Sequence, residues 1–135
     1  MKRLLSSNPF SPDFAAFLMR LIVGGLFCAY HGYDKVVHYH LYLSMTKDII
    51  GIGPQLTYNL IIFAELFCGF LVLIGLLTRV AIIPLFINMS VAFLVVHAHD
   101  PFLVKELAFL FWVLCLPVFV LGSGKYSADR LLLKK

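Results

Sequence analysis

The sequence predicts an all-α integral membrane protein: a four-helix bundle with both termini cytoplasmic and a short interfacial segment between the first two spans. Three observations predict it. The 135 residues are 61% hydrophobic and 13% charged, with a mean hydropathy of +0.95, whereas soluble domains carry about a quarter charged residues. The apolar residues fall into four blocks, each close to the ~20 residues that cross a hydrocarbon core. The blocks are apolar all round, which suits helices surrounded by lipid or protein rather than by water. The formal charge of +4 comes from positions flanking the blocks, with no clustered basic stripe of the kind that binds nucleic acid. The length fits a single domain over residues 1–135.

Lys2 and Arg3 are followed by Ser6-Ser7-Asn8-Pro9 instead of an apolar stretch. No cleavable signal peptide is expected, and the first span acts as its own insertion signal. Residues 1–12 read as a short leader. Ser11-Pro12-Asp13 makes a good helix start: serine caps, proline suits the first position, and the acid suits the positive end of the dipole. The first span then covers roughly 14–31 and carries one internal charge, Arg20. On a helix that continues, Arg20, Gly24, His31 and Lys35 share a face. Gly24 and Gly25 leave room for a neighbouring helix.

Residues 32–54 are too polar to span, yet hold Tyr33, Tyr39 and Tyr42, and tyrosine favours the headgroup layer. Leu41, Met45 and Ile49 repeat at i, i+4 and i+8, which predicts a short interfacial helix. Gly51-Ile52-Gly53-Pro54 ends it. The second span covers 55–77, with Tyr58, Glu65 and Gly69 on one face. A tight turn at Thr78-Arg79 makes the second and third spans antiparallel neighbours. The third covers 80–97, with Pro84 near one end and Asn88 near the middle. Asp100-Pro101 breaks the chain. The fourth covers 103–121, with a kink expected at Pro117, and Gly122-Ser123-Gly124 stops it before a short basic tail.

Lysine and arginine set the orientation. With both termini inside, the cytoplasmic side receives Lys2, Arg3, Arg79, Lys125, Arg130, Lys134 and Lys135, and the outer side only Lys35, Lys47 and Lys105. The expected location is the cell (inner) membrane, multi-pass.

Polar residues inside such spans are expensive, and therefore informative. Arg20 lies eleven residues inside His31, about 16 Å by helical rise. Glu65 and Asn88 lie at similar depths in their own spans. These three are expected to form a midplane layer, an Arg20–Glu65 ion pair with Asn88 adding a hydrogen bond, either fixing helix register or serving a site. A second, outer layer would hold His31, Lys35, His97, His99 and Glu106. His97 and His99 cannot share a face of a regular helix, being about 200° apart. His38-x-His40 and His97-x-His99 raise the question of a metal, but no cysteine joins either pair and no metal site is expected. Cys28, Cys68 and Cys115 sit in three different spans and read as packing residues. No phosphate loop and no activated serine is present.

Arg20 with Gly24-Gly25-Leu26-Phe27 and His31-Gly32-x-x-Lys35 resembles the first-helix signature of the DoxX family of small four-span membrane proteins. Glu65 with Leu71-Val72-Leu73-Ile74-Gly75-Leu76-Leu77-Thr78-Arg79-Val80-Ala81 is similar to its second-helix pattern. Val96-His97, Lys105-Glu106-Leu107-Ala108 and Gly122-Ser123-Gly124-Lys125-Tyr126-Ser127-Ala128-Asp129 resemble its later motifs. The resemblance implies a membrane redox association; some members are membrane subunits of thiosulfate:quinone oxidoreductases, and others resemble accessory subunits of oxidant-defence or methylamine-oxidation systems. The chain departs from the family in residues 36–50 and before Glu106, so the substrate does not transfer.

Together these readings give a redox-associated membrane subunit with an outward-facing polar pocket for a quinone or similar ligand. His31, Glu65, His97 and Glu106 are the expected catalytic groups, and Arg20, Lys35, Asn88 and His99 the expected ligand-binding groups. Glu65 and His31 would bond the ligand oxygens, Arg20 would keep Glu65 ionised, and His97 with Glu106 would pass protons outward. No haem, flavin or cluster motif is present, so no intrinsic cofactor is expected and a redox partner protein must supply electrons. The lipid bilayer is the one certain partner; nucleic acid is not expected and oligomerisation stays open. Two other readings stand beside this one, a non-catalytic assembly or scaffolding subunit and a small transporter, the latter weakened by the lack of internal repeats.

Overall fold

The computed structural model describes residues 11–49 and 51–133. The leader before Ser11 and the last two lysines lie outside the described residues. Four long helices carry the fold: α1 (Pro12–Val37), α3 (Pro54–Ile74), α4 (Thr78–Val96) and α5 (Phe102–Leu121). Two short ones accompany them, α2 (Tyr39–Met45) and α6 (Ala128–Leu133). All four long helices are long and apolar enough to cross a membrane. α1 packs on α3 and α5, and α4 packs on the same two, which closes a ring of four. The ring encloses Val23, Phe27, Val72, Ile82, Leu85, Phe111, Cys115 and Val118, all buried. Most large apolar side chains instead face outward, as expected of helices solvated by lipid.

One end of the bundle, here the proximal end, gathers the start of α1, the turn between α3 and α4, and the segment around α6. The distal end gathers the end of α1, α2 and the α4–α5 connection. Proline opens both α1 and α3 at the first helical position, where its missing N–H costs nothing. Pro84 and Pro117 lie inside α4 and α5 without ending either helix.

Three boundaries differ from the sequence expectation: α2 ends at Met45, short of Ile49 and of residues 51–54, and two more concern the spans. The first span does not stop at His31 but continues to Val37. The chain stays helical through Leu26–Gly32 as a wider π turn, and the charges that follow are absorbed by partners on α3 and α2. The tight turn is not Thr78-Arg79 but Gly75–Leu77, and Thr78 opens α4. Gly75 ends α3 at φ 74, and Leu77 also takes a left-handed conformation, φ 49. A glycine closes a helix this way without a Cβ penalty, whereas a leucine needs help. Its N–H donates to the Asp129 carboxylate at 2.9 Å.

α1 and α3 touch backbone to backbone. A Cβ on Gly24 would stand 2.5 Å from the Leu73 nitrogen, and one on Gly32 would stand 2.6 Å from Leu66 backbone atoms. Gly69 answers from α3, where a Cβ would come within 3.0 Å of Cys28. This close approach, of the small-residue kind that drives helix association in lipid, brings the polar groups of the two helices into bonding range.

Candidate polar site at the distal end

Three of the long helices are interrupted by π turns: Leu26–Gly32 in α1, Phe63–Cys68 in α3 and Ala92–Val96 in α4. Those of α1 and α3 pack against each other. A π turn holds one residue more than an α turn, re-aims the side chains beyond it, and recurs at functional sites. Here one turn carries His31 and the other carries Glu65.

Glu65 is 3% exposed and both of its oxygens are occupied. The Lys35 ammonium donates to Oε2 at 2.6 Å, and the Asn88 amide donates to Oε1 at 2.9 Å. α1, α3 and α4 thus each contribute one member of a triad centred on the buried Glu65. Charge-assisted bonds of this length offset much of the cost of removing the two ions from water. The Tyr58 hydroxyl, on the same face of α3, donates to the Lys35 carbonyl at 2.8 Å and so fixes the end of α1 from which the lysine projects.

The expected Arg20–Glu65 pair does not form. Arg20 is buried, 1% exposed, but its guanidinium donates to the carbonyls of Leu73, at 3.3 Å, and Tyr126. Leu73 lies eight residues beyond Glu65, about 12 Å along the helix, so Arg20 belongs to the proximal end. The error follows from the helix boundary. Depth counted from His31 places Arg20 at mid-membrane, whereas α1 runs six residues further and Arg20 stands only eight residues from its start. The cation that Glu65 receives comes from Lys35, which was expected in the outer layer.

His31 is half-buried between helices. Its ring meets Phe111 of α5 edge-on at 5.3 Å and lies near Phe27 and Tyr30 of its own helix, at 6.1 and 5.6 Å. His31, Asp34 and Lys35 stand at i, i+3 and i+4, so one face of α1 presents all three. They line an open cleft of about 530 Å³ whose other wall includes His38 and Tyr42. That volume is within the range of small-molecule sites. Tyr30, Tyr33 and Val37 complete the rim and are themselves exposed, so the cleft has a polar floor and an apolar lip.

Asp34 is not among the expected site residues, His38 is weighed only as a metal ligand, and Tyr42 reads only as a headgroup-layer aromatic. The Tyr42 hydroxyl donates to Asp34 Oδ2 at 2.8 Å, and His38 Nδ1 lies 3.0 Å from Oδ1. The hydrogen bond to Asp34 favours the protonated phenol and raises the Tyr42 pKa, and the Asp34 charge adds to the effect. Asp34 and His38 stand one turn apart, but Tyr42 lies on α2 and reaches Asp34 because the chain bends at His38, φ -104, a break that the sequence does not mark.

The remaining outer residues do not line this cleft. His97 caps the end of α4 with Nδ1 2.7 Å from Asp100. His99 and Glu106 are exposed, and Lys105 reaches back over the Phe93 ring and to the Ala98 carbonyl. Between α4 and α5 the structure places an aromatic stack of Phe86, Trp112 and Phe93. Among the described residues no three His, Cys, Asp or Glu side chains converge as metal ligands do. The three cysteines are free thiols, Cys68 and Cys115 buried.

A family model described as DoxX matches residues 15–98. The match takes in His31, Lys35, Glu65 and Asn88, but ends before Glu106 and the segment around α6. No curated protein and no solved structure matches the chain.

Proposed function

The chain belongs to the DoxX family of membrane proteins, and from that premise we propose that it serves a membrane redox system by binding a quinone, or a similar small ligand, in the distal cleft. The observation that carries the reading is the triad of Lys35, Glu65 and Asn88 opening, through Lys35, onto the cleft beside His31. The Lys35 side chain is 24% exposed while that of Glu65 is 4%, so the lysine is the member that can meet a ligand. It uses one of its three donors on Glu65 and keeps others for a carbonyl oxygen. His31 supplies a second polar group on the same face, with Phe111 behind it.

This assigns roles differently from the sequence alone. Lys35 and His31 touch the ligand. Glu65 is a positioning residue that keeps Lys35 charged and aimed, and Asn88 holds Glu65 in turn. The exposed apolar lip suits a ligand that arrives from the bilayer. The chain's own residues bind and orient; the quinone supplies the electron-accepting chemistry, and a partner protein supplies the electrons. The sequence count of lysines and arginines, seven against three when both termini are taken as cytoplasmic, supports a cleft on the outer face of an inner membrane.

Solvent extraction of the gently purified protein, with quinone quantified by chromatography, tests the reading. Near-stoichiometric quinone in the wild type and loss in Lys35→Gln, at equal folded yield, is the expected result. Quinone at only the level of the co-purified lipid in both samples would move the assignment to a scaffolding subunit whose triad sets helix register.

A further inference from the structure

The cleft carries an acceptor that a quinone carbonyl cannot use. Asp34 has a side chain 45% exposed and lines the cleft with His31 and Lys35. An ionised carboxylate only accepts hydrogen bonds, and its two oxygens together offer about four lone-pair sites. Tyr42 takes one on Oδ2 and His38 occupies one on Oδ1, so each oxygen keeps acceptor capacity. These two contacts hold the carboxylate in one orientation, because α2 bears Tyr42 and is itself tied to α3 by the Tyr39 hydroxyl on Asn59 at 2.8 Å. One face of α1 therefore presents donors, Lys35 and His31, next to an oriented acceptor.

Resting on the quinone reading above, we propose that Asp34 makes the cleft selective for the reduced, hydroxyl-bearing form of the ligand, a quinol or comparable aromatic diol. A quinol hydroxyl donates to Asp34 while its other oxygen accepts from Lys35. A quinone offers only acceptors, and would set a carbonyl oxygen against the carboxylate. Desolvating Asp34 without a donor is unfavourable, so the oxidised form gains less from the same site. Hydrogen bonds to a charged acceptor are the stronger kind, which corresponds to a preference of about tenfold for the quinol. Tyr42 and His38 act as positioning residues for the carboxylate.

The test measures binding of a decyl-benzoquinone and, under argon, its quinol to the full-length protein at one pH, by equilibrium dialysis in mild detergent. The expected wild-type result is tighter binding of the quinol. Asp34→Asn presents both a donor and an acceptor, so it should bring the two affinities together while leaving quinone affinity unchanged or improved. Tyr42→Phe, which keeps the charge but releases its orientation, should give an intermediate ratio and serves if Asp34→Asn does not fold. Equal wild-type affinities, or a quinol preference that survives in Asp34→Asn, would overturn the selectivity and leave the quinone reading intact. Binding of neither form would remove both.

Discussion

Glu65 receives a cation on one oxygen and an amide on the other, at a depth where water offers little compensation. Removing one partner is therefore costlier than removing both. Lys35→Met would leave a carboxylate that is 3% exposed with only Asn88 for company. The expected loss is about 2–3 kcal/mol, at or below the lower end for broken buried pairs because Lys35 keeps some access to water. Lys35→Met combined with Glu65→Gln should recover most of that loss, since a neutral amide still bonds Asn88. Apparent Tm at a fixed heating rate, the practical measure for a protein that unfolds irreversibly in detergent, separates the two variants. Equal Tm values for the single and double variants would show that the orphaned Glu65 carboxylate is not what destabilises Lys35→Met.

At the scale of elements, the site depends on two helices meeting more closely than ordinary side chains allow. Gly32 lies within the π turn of α1 and faces the Leu66 backbone in the π turn of α3. Gly32→Ala would drive a methyl into backbone, so the helices must part at the level of Lys35 and Glu65. The expected cost is about 1–3 kcal/mol, and, unlike a loss of stability alone, it should come with lower quinone retention per folded molecule. Retention unchanged in a destabilised Gly32→Ala protein would detach the helix contact from the site. The four spans and their polar residues were legible from the hydropathy and composition of the blocks, and Gly24 was legible as a packing glycine. The partner of Glu65 was not. A π turn has no periodic signature in seven residues, and a histidine followed by Asp34 and Lys35 reads as the arrival of water. The helix in fact continues because Asp34 and Lys35 are met by Tyr42 and Glu65, contacts that span eight and thirty residues and that no local pattern carries. The short helix between the first two spans was legible in part: Leu41 and Met45 stand exposed on α2, but the helix ends at Met45, so Ile49 and residues 51–54 lie beyond it.

Over the whole molecule, the two ends of the bundle do different work with similar residues. The distal end has the cleft beside His31 and Lys35; the proximal end is tied together by the segment after α5, which acts as a clasp, with two smaller open clefts around Asp129. Arg20 is held by the carbonyls of Leu73 and Tyr126, over Gly75, where a Cβ would fall 2.1 Å from the guanidinium. Asp129 binds the turn by accepting from the Leu77 N–H and from Ser123, and its own N–H donates to the Gly75 carbonyl at 3.1 Å. The Lys125 N–H donates to Asp13 at the start of α1. The start of α1 and the α3–α4 turn are thereby fixed by backbone groups and the Asp129 carboxylate of one short segment, and Arg79 adds bonds to the last carbonyls of α5. Asp129→Ala removes the acceptor that supports Leu77 in its left-handed conformation, and should cost about 1–3 kcal/mol for the lost bonds to a charged acceptor and the conformation it stabilised. Leu77→Gly in the same background should return part of it, since glycine adopts that φ freely. The clasp is separated from the cleft by most of the length of α1, so neither change should alter quinone retention per folded molecule. The pair of readouts divides the molecule cleanly: Gly32→Ala is expected to lower stability and retention together, Asp129→Ala stability alone. Retention that falls with Asp129→Ala would mean that the ends are coupled through α1 and α3, and that the clasp helps set the geometry of Lys35 and Glu65.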